Sequence, residues 1–388
     1  MFKQGRWWSN YKSGHRSVTS DSKKFWLGFS RVKGIGAART QILIKYFGDL
    51  AVAWRASEKQ LREAGLSPKP VQSLLELRRN FDLDGEYQRI IDSGIQILTL
   101  DDPSYPKRLA TIDYPPPVLF LKGDLQPDDD FSVAIVGTRR VTSYGRQVAT
   151  ELARYLAQNQ MTVISGLARG VDGIAHQAAL DAGGRTLAVL GSGVDVIYPP
   201  EHRSLAASIV QNGALISDYY PGTSPEGNNF PPRNRIISGL SLAVVIVEAG
   251  ERSGALITAN FAAGQGRDVF AVPGPIYAPR SKGTNRLIRD GALPLLEFSE
   301  ILEALQLAQI EDYRYAKQVI PENDIELLLM ETLRDEPMHI NEIKAVTELP
   351  IDKISSALVL MELKGLVRNT GNLTYLSVGE SELHYDEA

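Results

Sequence analysis

With 388 residues, 43% of them hydrophobic and 23% charged, the chain has the make-up of an ordinary soluble globular protein with room for two or three domains. It contains no cysteine, which excludes a disulfide framework, a thiolate metal site and a cysteine nucleophile, and its five scattered histidines argue against zinc. A net charge of −4 and a pI of about 5.9 weigh against a polyanionic partner only as an average, because binding depends on where the cations sit.

Residues 1–22 are polar, carry Trp7 and Trp8, lack the apolar core of a signal peptide, and are expected to form a disordered extension. No apolar run reaches the length of a membrane span, and a reducing cytoplasm fits the absence of cysteine. Residues 23–123 read as a mostly helical module, with periodic apolar positions at 25–27 and 37–47 and a short strand pattern at 95–100. Between its first two helical patterns, Val32-Lys33-Gly34-Ile35-Gly36 has the form of a helix-hairpin-helix turn, whose amides can hold a DNA phosphate; it is also a plain interhelix turn. The module closes in Tyr114-Pro115-Pro116-Pro117 and an apolar stretch at 118–121, and Asp128-Asp129-Asp130 after Pro127 reads as a linker.

Residues 131–308 carry most of the information. Six short apolar runs, at 133–137, 162–166, 186–191, 214–218, 242–248 and 268–274, lead into turns, most of them glycine-containing, with helical patterns between them. That alternation predicts an α/β fold with an extended Rossmann-like, doubly wound, mostly parallel sheet. Ligands of such sheets bind beyond the carboxyl ends of the strands. The cations there are of one kind: every Lys or Arg between Gly123 and Arg280 is arginine, and Lys282 is the first lysine after Lys122. Arginine presents a planar fork to phosphate oxygens and stacks on bases, although many such residues merely solubilise a surface.

The first turn, Gly137-Thr138-Arg139-Arg140-Val141-Thr142-Ser143, ends a strand at a glycine and offers Thr142 or Ser143 as cap of the next helix. Arg139 would hang over an anion site at that helix end, or else be a surface arginine. In the second, Ser165-Gly166-Leu167-Ala168-Arg169-Gly170-Val171-Asp172-Gly173, Asp172 is a good helix cap and His176 reads as a hydrogen-bonded structural residue rather than a base. The third, Gly191-Ser192-Gly193-Val194-Asp195, starts like a dinucleotide loop but lacks its third glycine and runs into Tyr198-Pro199-Pro200.

In Asn228-Asn229-Phe230-Pro231-Pro232-Arg233-Asn234-Arg235, two cations flank an amide at a helix start beside an aromatic, the chemistry of single-strand recognition. Alternatively Phe230 staples the helix and Arg235 pairs with an acid such as Glu248. Glu248-Ala249-Gly250-Glu251-Arg252-Ser253-Gly254 leads into a helix that Ser253 would cap, and Pro279-Arg280-Ser281-Lys282-Gly283 is a basic loop. No Walker A sequence occurs anywhere, which argues against hydrolysis of ATP by a P-loop.

Residues 309–323 read as a second linker. Residues 324–378 show helical patterns at 325–333, 340–346 and 351–364, then a hairpin, the order of a winged helix; a tail, 379–388, follows. The third helix has only Lys353 and Lys364 against Asp352 and Glu362, poor for neutralising a duplex.

Gly-Thr-Arg at 137–139, Ser-Gly-Leu-Ala-Arg-Gly-Val-Asp at 165–172, Ala-His at 175–176, Phe-Pro-Pro-Arg-Asn-Arg-Ile-Ile at 230–237, Ser-Gly-Ala-Leu-Ile-Thr-Ala at 253–259 and Ala-Val-Pro-Gly at 271–274 occur together. In this number and order the chain resembles the DNA-processing protein A family (DprA, also called Smf). The resemblance implies a homodimeric, non-enzymatic binder of single-stranded DNA, without cofactor or metal. Such a protein loads RecA onto incoming DNA in natural transformation and displaces single-strand-binding protein. It also implies a SAM-like helical domain ahead of the Rossmann-like one. By motif it assigns DNA contacts to Gly137, Arg139, Arg140, Ser165, Gly166, Arg169, Phe230, Arg233, Asn234, Arg235, Ser253, Gly254 and Lys282. Two other readings stand beside it. A phosphoribohydrolase acting on nucleoside monophosphates would need a Pro-Gly-Gly-x-Gly-Thr loop where this chain has Glu-Ala-Gly-Glu-Arg-Ser-Gly; a winged-helix transcription regulator would bind duplex DNA sequence-specifically.

Overall fold

The computed structural model describes residues 20–305, 324–333, 337–347, 349–363, 367–371 and 373–377, so residues 1–19 of the expected extension, the linker at 309–323 and the tail at 379–388 lie outside the described residues. The chain divides into two compact units, one up to Ile301 and one from Leu302.

The first unit opens with helices α1 (Ser20–Arg31), α2 (Ala37–Phe47), α3 (Leu50–Arg55), α4 (Glu58–Glu63), α5 (Pro68–Asn80) and α6 (Leu83–Asp92). Their apolar faces meet around Leu27, Phe29, Leu43, Leu61 and Leu74, all at most 1% exposed. Asp49 and Asp82 cap α3 and α6 through backbone amides, and Ser57 with Gln60 closes a capping box at α4. Helices α1 and α2 flank the turn 32–36, where Gly34 takes a positive φ of 88°.

A nine-stranded sheet follows, ordered β1-β2-β6-β5-β4-β3-β7-β8-β9. The strands are β1 (Gln96–Thr99), β2 (Val118–Gly123), β3 (Ser132–Val136), β4 (Thr162–Ser165), β5 (Thr186–Val189), β6 (Gly213–Ser217), β7 (Ala243–Ile246), β8 (Asp268–Ala271) and β9 (Leu293–Pro294). From β6 through to β9 all neighbours are parallel. Helix α7 (Lys107–Ala110) comes first; helices α8 (Ser143–Gln158), α9 (Val171–Asp181), α10 (Arg203–Gln211), α11 (Phe230–Leu240), α12 (Ala255–Gly264) and α13 (Lys282–Arg289) cover the sheet, α7 packs against α11, and α14 (Ser299–Ala304) follows β9. Strands β3 to β7 are buried along their whole length, as parallel strands covered on both faces must be, which is why they read as unbroken apolar runs.

The expected break after residue 123 is absent from the sheet. Strands β1 and β2 join its edge antiparallel, with Phe120 opposite Ser217 on β6. The acidic run expected as a linker is a short 3-10 turn, Pro127–Asp130, held down by Asp129, which is 8% exposed and takes both Nε and a terminal nitrogen of Arg185 at 3.0 Å. One apolar core runs from Phe25 on α1 to Ala262 on α12.

The second unit contains α15 (Asp324–Thr332), β10 (Met338–His339), α16 (Ile340–Thr347), α17 (Ile351–Leu363), β11 (Val367–Gly371) and β12 (Thr374–Ser377). Its sheet order is β10-β12-β11, and Leu329, Ile343, Ile354 and Leu358, all 0% exposed, form its centre. Three helices and a hairpin make the expected winged helix, with a short third strand, β10, pairing to β12.

Candidate nucleic-acid interface

Strand β3 is where the winding direction reverses: the chain lays β4, β5 and β6 to one side of it and then β7 and β8 to the other. The loops leaving β3 and β7 therefore diverge and open a crevice at their carboxyl ends. That crevice is a cleft of about 670 Å³. Its walls are the loop after β3 (Gly137 to Arg140), the start of α11 (Phe230, Pro231, Arg233, Asn234), the approach to α12 (Gly250, Arg252, Ser253, Gly254) and Pro279 with Arg280. Five arginines and one carboxylate, Asp172, line it, so its field is strongly positive in a chain of net charge −4.

The arginines differ in what they already hold. Arg139, Arg140 and Arg252 are exposed and Arg280 is half-buried. Among the described residues no carboxylate pairs with any of these four. Arg139 lies over the Phe230 ring at 5.3 Å, and Arg233 flanks the same ring at 5.8 Å. Tyr198 packs against it at 5.9 Å, tilted by 48°. Phe230 rests on Gly191, where a Cβ would come within 2.9 Å of the ring. The third glycine turn is thus the seat of an aromatic, not a dinucleotide loop.

Arg233 is 4% exposed. It donates to the carbonyl of Gly166 at 2.8 Å and to that of Val189, and Nε donates to Asn234 Oδ1 at 3.2 Å. Burial lowers its pKa to about 10 against the pull of Asp172. Its fork thus ties the ends of β4 and β5 together, where the sequence reading had it grip phosphate. Asn234 reaches the Gly254 carbonyl at 3.4 Å and ties α11 to the α12 turn. Arg235, two positions along, lies outside the cleft lining and pairs with Asp218 at 2.8 Å and the Tyr114 carbonyl at 2.9 Å. Its acid is Asp218, not Glu248.

Glu248 is 4% exposed, accepts the amide of Thr142 at 2.9 Å and also the Thr142 hydroxyl, while Thr142 Oγ1 accepts the amide of Gly145 at 3.1 Å. Thr142 caps α8 as expected, but the protein's own carboxylate occupies that helix end, which leaves it closed to an external anion. The α12 turn is open: Ser253 Oγ accepts the amide of Ala255 at 3.3 Å, and Ser253 and Gly254 face the cleft.

The second glycine turn is internal scaffolding. Ser165 is 0% exposed and donates to the Ile135 carbonyl at 2.6 Å. Asp172 sits inside α9, behind the capping Gly170, and takes the Gly166 amide at 3.1 Å; burial pushes its carboxyl pKa up. Arg169 pairs with Glu201 outside the cleft. Lys282 begins α13, exposed and 3.8 Å from Glu251, just past the lining residue Arg280.

His176 is fully buried. Thr186 Oγ1 donates its one proton to the Val163 carbonyl at 2.7 Å, so His176 Nδ1–H donates to Thr186 at 2.7 Å while Nε2 accepts the Leu167 amide at 3.3 Å. Burial, with the charges of His202 and Arg233, pushes the imidazole down to about 3, a structural neutral histidine. Among the described residues no group of three His, Cys, Asp or Glu side chains is placed to hold a metal, and no helix is long and apolar enough to cross a membrane.

Motif assignment missed Arg252 and Arg280. The signal was available in the rule that each loop after a parallel strand faces the ligand crevice, since Arg252 follows β7 and Arg280 follows β8.

Residues 96–306 match the family model for DNA recombination-mediator protein A, and residues 316–371 match the DprA winged helix domain. The chain belongs to the DNA recombination-mediator protein A family. Protein Smf of Synechocystis sp. is 34% identical over 92% of this chain and 99% of its own. The DNA processing protein DprA of Bacillus subtilis is 42% identical over 55% of this chain and 72% of its own. Among solved structures, DprA of Streptococcus pneumoniae superposes with a TM-score of 0.65 at 32% identity, over 74% of this chain and 98% of that one. DprA of Helicobacter pylori, described for its single-stranded DNA binding mode, superposes with a TM-score of 0.50 at 33% identity, over 55% of this chain and 95% of that one. The recombination-mediator match begins at residue 96, the first residue of β1, and so takes in the two antiparallel strands that extend the parallel sheet.

Proposed function

We propose that this member of the family is a non-enzymatic, cytoplasmic single-stranded-DNA-binding recombination mediator. The observation that carries the reading is the set of carboxylate-free arginines Arg139, Arg140, Arg252 and Arg280 around the half-buried Phe230, at the carboxyl ends of β3, β7 and β8. The guanidinium forks take successive phosphates, Ser253 and Gly254 offer the α12 turn, and Phe230 stacks a base. Lys282 extends the cationic rim. Arg233 and Asn234 position this surface from beneath; Gly137 lines it; Ser165 and Gly166 belong to the buried turn whose Gly166 carbonyl holds Arg233; Arg169 and Arg235 brace loops outside it.

A half-buried ring at the base of a cleft suits an unpaired base, because paired bases in a duplex keep their faces stacked on one another. The acid–base groups nearby are engaged: Glu248 holds a helix cap, Asp172 holds an amide and His176 is a buried neutral imidazole. That supports binding without turnover. Family membership supports the rest of the role: delivery of the bound strand to RecA at the expense of single-strand-binding protein during natural transformation, by a homodimer.

The test is a salt-titrated comparison of single-stranded and double-stranded oligonucleotides on the full chain. Tighter binding of single strands of any sequence, weakening roughly tenfold or more over a few-fold rise in salt, is the expected result. Preference for one duplex sequence, or base release from AMP or GMP, would overturn it.

A further inference from the structure

The loop between β8 and α13 presents an aromatic side chain that the cleft itself does not use. Tyr277 is 89% exposed and its neighbour Ile276 72% exposed. Among the described residues neither a hydrogen bond nor a ring contact engages the Tyr277 side chain, although the next two lining positions along the chain, Pro279 and Arg280, form the cleft wall. Single exposed apolar groups are common, but this one is held out by an anchored loop. Asn285 clamps its base, donating to the Gly274 carbonyl at 2.9 Å and accepting the Gly274 amide at 3.2 Å. Tyr144 donates to the Pro273 carbonyl at 3.1 Å. Turns close Pro275 to Ala278 and Ala278 to Ser281 at 2.9 and 3.0 Å, and the Arg280 carbonyl accepts the Ala249 amide at 2.8 Å. Pro273, Pro275 and Pro279 fix three φ angles of the same loop. Ordering is therefore largely complete before any ligand arrives, which lowers the entropic cost of a contact made there.

The charge beside it fits a phosphate chain. Arg280 and Lys282 follow within five residues, and further along α13 Arg286 and Arg289 share the single carboxylate of Asp290 at 3.3 and 3.2 Å. We propose that Tyr277 is a stacking platform for a base of the DNA strand where it leaves the cleft past Arg280, so that the single-strand site continues from the cleft onto the start of α13. This rests on the reading of the cleft as a single-strand site. A tyrosine face stacks any base, so the platform adds affinity and strand length without adding sequence preference.

The test uses the full chain and three variants, Tyr277→Ala, Tyr277→Trp and Arg139→Ala, titrated at fixed salt with labelled oligothymidylates of about 4 to about 16 nucleotides. Tyr277→Ala is expected to bind the shortest strands normally and to lose about tenfold on strands long enough to pass Arg280. Tyr277→Trp keeps its affinity, and the added indole emission is quenched by long strands alone. Urea midpoints equal to that of the unaltered protein confirm that each fold is intact. Unchanged binding by Tyr277→Ala at every length, while Arg139→Ala is weakened at every length, overturns the platform and leaves the cleft standing. Equal losses by Tyr277→Ala on short and long strands overturn its placement at the exit. Normal binding by Arg139→Ala at every length overturns the cleft reading, and with it the claim that Tyr277 continues that cleft.

Discussion

Arg233 lies across Gly166 so closely that a Cβ built on the glycine would fall 2.2 Å from a guanidinium nitrogen. The pair explains why a glycine turn sits under a conspicuous arginine motif: the bare backbone lets a buried cation reach two strand-end carbonyls. Gly166→Ala must push the guanidinium off both acceptors. The variant is expected to lose about 2–4 kcal/mol of stability, the cost of overpacking together with a charged group left short of partners. Single-strand affinity falls with it, because Arg233 also flanks Phe230. A urea midpoint unchanged from the parent chain would show that the arginine has another seat.

Arg139 is the opposite case: it is exposed, and among the described residues its side chain is held by the Phe230 ring face alone. Arg139→Ala should therefore leave the unfolding midpoint within about 0.5 kcal/mol of the parent. Binding to all single strands should weaken alike, by roughly tenfold, and the slope of log affinity against log salt should shrink by about 0.7, the loss of one phosphate contact. Sequence-dependent losses, or an unaltered slope, would remove Arg139 from the backbone track.

Arg235 separates stability from binding. Its ion pair with Asp218 is largely sheltered, the two side chains being 18% and 17% exposed, and burial raises the Asp218 carboxyl pKa against the pull of Arg235. Arg235→Ala strands that carboxylate and is expected to cost about 2–3 kcal/mol, with single-strand affinity close to that of the parent chain. Denaturation and binding measured on one preparation decide it. A large affinity loss at undiminished stability would return Arg235 to the DNA surface.

The central sheet was readable from sequence because strands buried on both faces leave an unmistakable mark. Each of the six expected runs contains an observed strand to within a few residues, as β3 (Ser132–Val136) does for the run at 133–137. The winged helix was readable for a related reason, three helical periods ahead of a hairpin. Pairings that depend on distant partners left no local trace. Strands β1 and β2 join the sheet through contacts such as Phe120 with Ser217, and Asp129 became an anchor only by meeting Arg185. The same holds in the cleft. Arg233 and Arg235 stand two residues apart on one helix and are indistinguishable as letters, yet one ends beneath the strand ends and the other against Asp218. Motif reading found the neighbourhood; burial assigned the roles.

His176 supplies a prediction in pH. Its folded pKa is depressed to about 3, far below the 6.5 of a free imidazole. The unfolded chain therefore binds a proton between those values that the folded chain refuses, so the stabilisation from neutral His176 is complete above pH 6.5 and drains away as pH falls. Between pH 7 and pH 5 the loss amounts to about 2 kcal/mol, at 1.36 kcal/mol per unit. Asp172, whose carboxyl burial pushes up, works in the opposite sense and is common to the parent chain and a His176 variant. In His176→Gln the amide nitrogen can donate to Thr186 and the amide oxygen can accept the Leu167 N–H, so the fold is kept while the titrating group is gone. Urea midpoints of the two proteins should diverge at pH 7, where the histidine is neutral and better packed, and draw together at pH 5. Parallel pH profiles for parent and variant would mean that His176 takes up its proton inside the folded protein, and that the buried, neutral tautomer bridging Leu167 and Thr186 is wrong.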